Sequence, residues 1–228
     1  MADFAGWWSE IDAVLEEKSL LKHAFYRAWT EGRLSRADLA EYSRQYYQQE
    51  ARFPRYLSAV HSNCPELSVR QSLLENLSHE EQGPENHPEL WLRFAEAVGA
   101  SRESVLGAQT HPKTEACVRD FSALTREGHW TEGLAALYAY EAQQPAVAAT
   151  KIDGLKRHYG LDSEAALGFF KVHQELDLWH SEVERRALTA AVTDEGDRAR
   201  IKAAVSRACD ALNTLLDGVC EARGIACH

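Results

Sequence analysis

No stretch of this sequence stays apolar for the roughly 18 residues that a bilayer-spanning helix needs, so no membrane residence is expected. Basic charge is also short: 25 Lys and Arg stand against 35 Asp and Glu, giving a formal charge of -10, and no basic stripe gathers anywhere. That excludes a nucleic-acid footprint, which requires clustered cations. The opening MADFAGWWSEIDAVLEE is acidic where a secretory leader would be basic, so a cytoplasmic protein is expected. Cysteines are few, odd in number and scattered, as Cys64, Cys117, Cys209, Cys220 and Cys227. None forms C-x2-C, which leaves neither a disulfide framework nor a zinc knuckle, only reduced thiols. Internal repeats, low-complexity tracts, long linkers and β-branched alternation are missing as well.

What is present is helical periodicity. With 228 residues, 45% hydrophobic and 26% charged, the chain suits one buried core, and a single domain over 1–228 is expected. Apolar residues recur at three and four spacing over 8–18, 36–62, 67–82, 85–98, 112–127, 131–158, 163–190 and 194–223. Ser35 and Ser163 stand where helices should start, and Gly99, Gly128 and Gly160 where they should stop. The predicted fold class is all-α, a bundle of about seven to eight helices.

One of these segments, KVHQELDLWHSEVERRAL, carries His173, Asp177 and His180 as H-x3-D-x2-H. Steps of four and three put two imidazoles and a carboxylate on one helical face, within reach of one first-row transition metal. Two further stretches can complete a two-metal site. In NLSHEEQGPENHPELW, Glu80 and His87 lie seven residues apart and can face one way across the Gly83-Pro84 step, with Glu81 an equal candidate beside Glu80. In GLAALYAYEAQQPAVAATK, Glu141 follows a run of Leu, Ala and Tyr that must be largely buried, where a lone carboxylate needs positive compensation. Glu80, His87, Glu141, His173, Asp177 and His180 together make six ligands, three per ion. Positions stay open for oxygen or substrate, as in a catalytic centre.

These pieces resemble the heme-oxygenase-like di-metal oxidases and oxygenases, and more closely the family of CADD, the Chlamydia protein associating with death domains. The stretch LLKHAFYRAWTEGRLSRADLAEYSRQYYQQ, residues 20–49, carries the resemblance too, which runs from about residue 5 to residue 222. It implies a heme-oxygenase-like bundle, a dinuclear Fe/Fe or Mn/Fe centre, dioxygen as cosubstrate and an electron donor. The reaction it implies is self-sacrificing: para-aminobenzoate, the aromatic amine of folate, is cut from the protein's own tyrosine, with a lysine providing nitrogen. By that resemblance the tyrosine is Tyr26 in HAFYRAW and the lysine Lys151 in AATKIDG. The residues themselves also allow a core tyrosine and a solvated lysine. A lysine drawn into an apolar pocket would have a lowered pKa and a nucleophilic neutral amine. Tyr42, Tyr46, Tyr47, Tyr138 and Tyr140 are candidates for an aromatic relay, Tyr42 and Tyr140 foremost. Relatives can carry a tyrosine where this chain has Phe169 and Phe170. Two other readings stay open: an oxygenase acting on an external fatty acid, amino acid or amine, and an interaction module. A homodimer is the expected assembly.

Overall fold

The computed structural model describes residues 4–226. Within them the chain forms α1 (Phe4–Glu17), a short 3-10 turn (Leu20–Lys22), α2 (Ala24–Thr30), α3 (Arg36–Glu50), α4 (Phe53–Asn63), α5 (Leu67–Glu81), α6 (His87–Ala97), α7 (Arg102–Leu106), α8 (Pro112–Arg126), α9 (Trp130–Glu141), α10 (Gln144–Tyr159), α11 (Glu164–Ala191) and α12 (Glu195–Arg223). There is no strand among the described residues, and the all-α class holds. No helix among them is long and apolar enough to cross a membrane. Cys64, Cys117, Cys209 and Cys220 are buried and in no disulfide; Cys227 lies outside the described residues.

Each segment expected to be helical is helical, but two of them are pairs of helices. Residues 36–62 divide into α3 and α4, and 131–158 into α9 and α10. A proline explains each break: Pro54 and Pro145 are each the second residue of the following helix and have no N–H to return to the carbonyl four residues back. α2 and α7 had no separate periodic signal, because seven and five residues are too few to display a helical period.

The starts follow local chemistry. Ser35 opens α3 in a capping box with Asp38, and Ser163 accepts from the Ala166 N–H at the start of α11. Gly83, at φ +82°, turns the chain between α5 and α6 through a conformation that other residues avoid.

α9 is the axis of the core. From Leu134 through Glu141 every residue is buried, and the helix packs against α12, α11, α8 and α4. A helix apolar on all sides is stable only when surrounded, and here its neighbours supply the cover. α10 crosses α11 and α2, and at that crossing Gly154 lets the Trp29 ring approach so closely that a Cβ would sit 2.5 Å from it. Trp29 in turn donates its indole N–H to the Lys151 carbonyl, which ties α2 to α10. This contact holds Tyr26 and Lys151 on adjoining helices, both 1% exposed.

Candidate metal centre

Eight ionisable side chains converge between α3, α5, α6, α9 and α11. Glu80 is in the last turn of α5 and His87 opens α6, so the two lie on separate helices joined by the Gly83 turn rather than on one bent helix. They still meet, with His87 Nδ1 at 2.8 Å from Glu80 Oε1. Glu81 is exposed and takes no part, which decides between the two acids. Glu141 closes α9 and comes within 3.1 Å of His180 Nδ1, while Asp177 lies 3.6 Å from the same nitrogen. His173 gives its Nδ1 to the Phe169 carbonyl at 2.8 Å, which leaves its other nitrogen free to act as a donor.

The ligand atoms gather into two trios. Glu141, Asp177 and His180 form one, and His87 and His173 form the other with Glu50, each trio within 4.8 Å. Glu80 adjoins the second trio through His87. Asp177 feels the charges of both Glu141 and Glu80, so the two trios are neighbours.

Glu50 and Glu184 were missed in the sequence. Glu50 ends α3 behind the polar run Gln48-Gln49, which hides its burial. Glu184 continues the α11 face one turn beyond His180, and that periodicity could have found it.

Five carboxylates, Glu50, Glu80, Glu141, Asp177 and Glu184, are thus at most 4% exposed. One or both oxygens of each lack a hydrogen-bond partner. Burial raises Glu50 to about 8, Glu80's charge adding to it, and lifts Asp177 and Glu184 well above the usual carboxylate range. Burial alone would lower His180, but the hydrogen bonds it donates to Asp177 and Glu141 outweigh it and raise that imidazole to about 10. Burial and the nearby His87 hold His173 well below the ordinary imidazole value. Such a set is unfavourable unless cations occupy it. Two divalent ions would bring four positive charges to the five carboxylates. The remaining proton has a place on Glu184, which lies against Glu141. The donor chemistry of imidazole and carboxylate suits iron or manganese, so the residues present fit a two-metal centre.

From Glu50 a line of tyrosines leads away. Tyr140 donates to Glu50 Oε2 at 2.8 Å, and Tyr46 donates to the Tyr140 hydroxyl at 3.2 Å. The Tyr46 and Tyr42 rings are 5.2 Å apart, and the Tyr42 and Tyr26 hydroxyls are 3.4 Å apart. Tyr138 lies outside this line, against Trp8 and Arg185, and Tyr47 is only partly buried. Lys151 Nζ sits 5.0–5.6 Å from the ring centres of Tyr26, Tyr42, Tyr46, Trp91 and Phe170. Burial in this cage lowers its pKa to about 7 against the opposing pull of Glu50. Phe169 stacks on His173 with centroids 4.0 Å apart, and Phe170 forms part of the lysine cage. A cavity of about 20 Å³ touches His180, Asn76 and Glu184 between Leu73, Leu134 and Val183, room for one small molecule.

A family profile described as iron-containing redox enzyme matches residues 40–213. A 4-aminobenzoate synthase of Nitrosomonas europaea is 42% identical over 221 residues, covering 93% of this chain and 90% of that protein. Among solved structures, a CADD-like protein of unknown function from Nostoc punctiforme superimposes with a TM-score of 0.79 at 18% identity, covering 98% of this chain and 99% of that one. A domain of unknown function with a heme oxygenase-like fold from Shewanella denitrificans gives 0.73 at 20% identity, covering 96% and 91%. At those identities the two structures bear on the fold alone, and the second shows that it is heme-oxygenase-like.

Metal removal and return test the centre. Chelated protein should gain about 10–20 °C in melting temperature on anaerobic Fe(II) at ~100 times its dissociation constant, from ~2.7 kcal/mol of linkage for each of two ions in a chain this size. A His180→Ala, Glu141→Ala double variant, which strips the donors of one ion, should lose about half of that gain. An equal gain in the double variant would show that the ions bind elsewhere.

Proposed function

This chain belongs to the iron-containing redox enzyme family, and from that premise we propose that it makes 4-aminobenzoate by consuming its own Tyr26. The observation that carries the reading is the position of Tyr26. It is buried beside Lys151, at the far end of a line of tyrosines that reaches Glu50 at the metal centre. The printed name of the Nitrosomonas relative supports the product, and the donor set supports a dinuclear centre of iron, or of manganese and iron.

When bound, the dinuclear centre supplies oxidising power from dioxygen, with electrons from an external donor. Glu80, His87 and His173 would hold one ion, and Glu141, Asp177 and His180 the other. Asn76 donates to Glu141 Oε1 at 2.8 Å and orients that carboxylate. Tyr140, Tyr46 and Tyr42 span the distance to Tyr26, and Gln144 donates to the Tyr46 hydroxyl at 3.2 Å and fixes its direction. The surrounding rings exclude water from Tyr26, so oxidation there is not diverted into solvent. Lys151 stands over the Tyr26 ring and, with its pKa near 7, holds a large fraction of neutral amine at neutral pH. The smallness of the cavity at His180 also favours a substrate built into the protein over one that diffuses in.

In cells that lack their own route to 4-aminobenzoate, the wild-type chain should restore growth and Tyr26→Phe should not. The purified wild type should release no more than about one product per chain. Rescue by Tyr26→Phe, or many products per chain, contradicts self-sacrifice and points to an external substrate.

The nitrogen donor has a pH signature. Neutral amine is scarce below the lowered pKa and dominant above it, so the single-turnover rate of metal-loaded protein should rise about tenfold from pH 6 to pH 8. Lys151→Arg, whose side chain stays charged, should yield no product. A flat profile together with product from Lys151→Arg would remove Lys151 from the chemistry.

A further inference from the structure

The ligand set drawn from the sequence leaves the two ions with equal shares, yet the helix that brings Tyr42 and Tyr46 into place also ends on an acid at the centre. We infer that Glu50 is a seventh metal-site ligand, a fourth protein donor to the ion held by Glu80, His87 and His173. The inference rests on the two-metal reading above.

The first support is geometric. Glu50 is 1% exposed, and one of its oxygens lies within 4.8 Å of donor atoms of both His87 and His173. Its Oε2 accepts from Tyr140, while Oε1 has no partner. An unpartnered carboxylate oxygen buried beside two imidazoles, one of them with its Nδ1 already committed to a carbonyl, is poorly solvated unless a cation is there.

A second support is independent of these distances. Glu50 and Glu141 are presented by the same local device: Glu50-Ala51-Arg52-Phe53-Pro54 and Glu141-Ala142-Gln143-Gln144-Pro145 are both Glu-Ala-x-x-Pro. Each glutamate is the last residue of its helix, α3 or α9. In each the alanine N–H returns to a tyrosine carbonyl at 2.9 Å, Ala51 to Tyr47 and Ala142 to Tyr138. The next residue then makes the tighter turn, Arg52 to Gln49 at 3.1 Å and Gln143 to Tyr140 at 3.3 Å. A carboxylate at a helix C-terminus faces the negative end of the dipole, a disfavoured position that a nearby cation reverses. Glu141 is already assigned to one ion, and the matching device places Glu50 at the other.

The consequence is an asymmetric pair: four donors at the ion nearer the tyrosines and three at the ion beside the cavity at His180. Because Glu50 Oε2 also holds the Tyr140 hydroxyl, this carboxylate is the direct bridge from the first ion to the tyrosine line. The cavity of about 20 Å³ touches His180, in the other trio.

Co(II) titration of chelated protein, followed by its visible absorption and by calorimetry, reads this without turnover. Wild type should bind two equivalents with distinct affinities. Glu50→Gln, which keeps an oxygen to accept from Tyr140, should weaken one equivalent on the order of 10- to 100-fold and leave the other unchanged, while exposed Glu81→Gln changes neither. Glu50→Asp, shorter by one methylene, should weaken the same equivalent and serves if the glutamine variant does not fold. Two unchanged equivalents in both variants overturn the role of Glu50 while sparing the two-metal centre. Failure of wild type to bind two equivalents overturns the centre itself.

Discussion

Five carboxylates brought together inside an all-helical core are the constraint around which this molecule is organised. Glu50, Glu80, Glu141, Asp177 and Glu184 come from α3, α5, α9 and α11, and every one is withdrawn from water. Ionised and unpaired, they would oppose folding by several kcal/mol each. Protonated, as burial drives Asp177 and Glu184 toward being, they would waste the donors that the helices present. Cations at the centre resolve the conflict, and they explain why so polar a cluster is enclosed by Leu, Phe and Trp. The same enclosure lowers the pKa of Lys151 to about 7. Desolvation therefore works in opposite senses on the two sides of one core, raising acids at the centre and freeing an amine among the rings.

Much of the centre was legible because helical periodicity fixes direction. His173, Asp177 and His180 share a face by their spacing alone, and α11 runs unbroken through them. Glu141 was legible through its apolar neighbours. Glu80 and His87 were legible as a pair for a partly different reason than the structure shows: a turn at Gly83, not a continuous helix, carries them together. Glu50 was not legible, since Gln48, Gln49 and Arg52 around it read as a solvated helix end, and only tertiary packing, with Tyr140 of α9 and His87 of α6 against it, buries it. The proline breaks were underweighted as well. Pro54 and Pro145 end α3 and α9 at the two glutamates, and each long segment becomes a helix that delivers an acid and a second helix that leaves.

Family resemblance and residue chemistry contribute different things. Nothing in period or spacing singles out Tyr26 from the other buried tyrosines; resemblance implied it. The structure then surrounds it in a way that chemistry can evaluate: Tyr42 at hydrogen-bonding distance, Lys151 over the ring, and Phe170 closing the cage. Phenylalanine at both 169 and 170 carries no hydroxyl, and the hydroxyl line from the centre runs through Tyr140 and Tyr46.

The most direct test follows the atoms of Tyr26. Protein grown on ring-labelled tyrosine, loaded with iron or with manganese and iron, reduced and exposed to dioxygen, should release labelled 4-aminobenzoate. The proteolytic peptide containing residue 26 should lose its aromatic side chain in equal amount, while peptides holding the other tyrosines keep theirs. Labelled product with an intact Tyr26 peptide, or unlabelled product, would contradict the account.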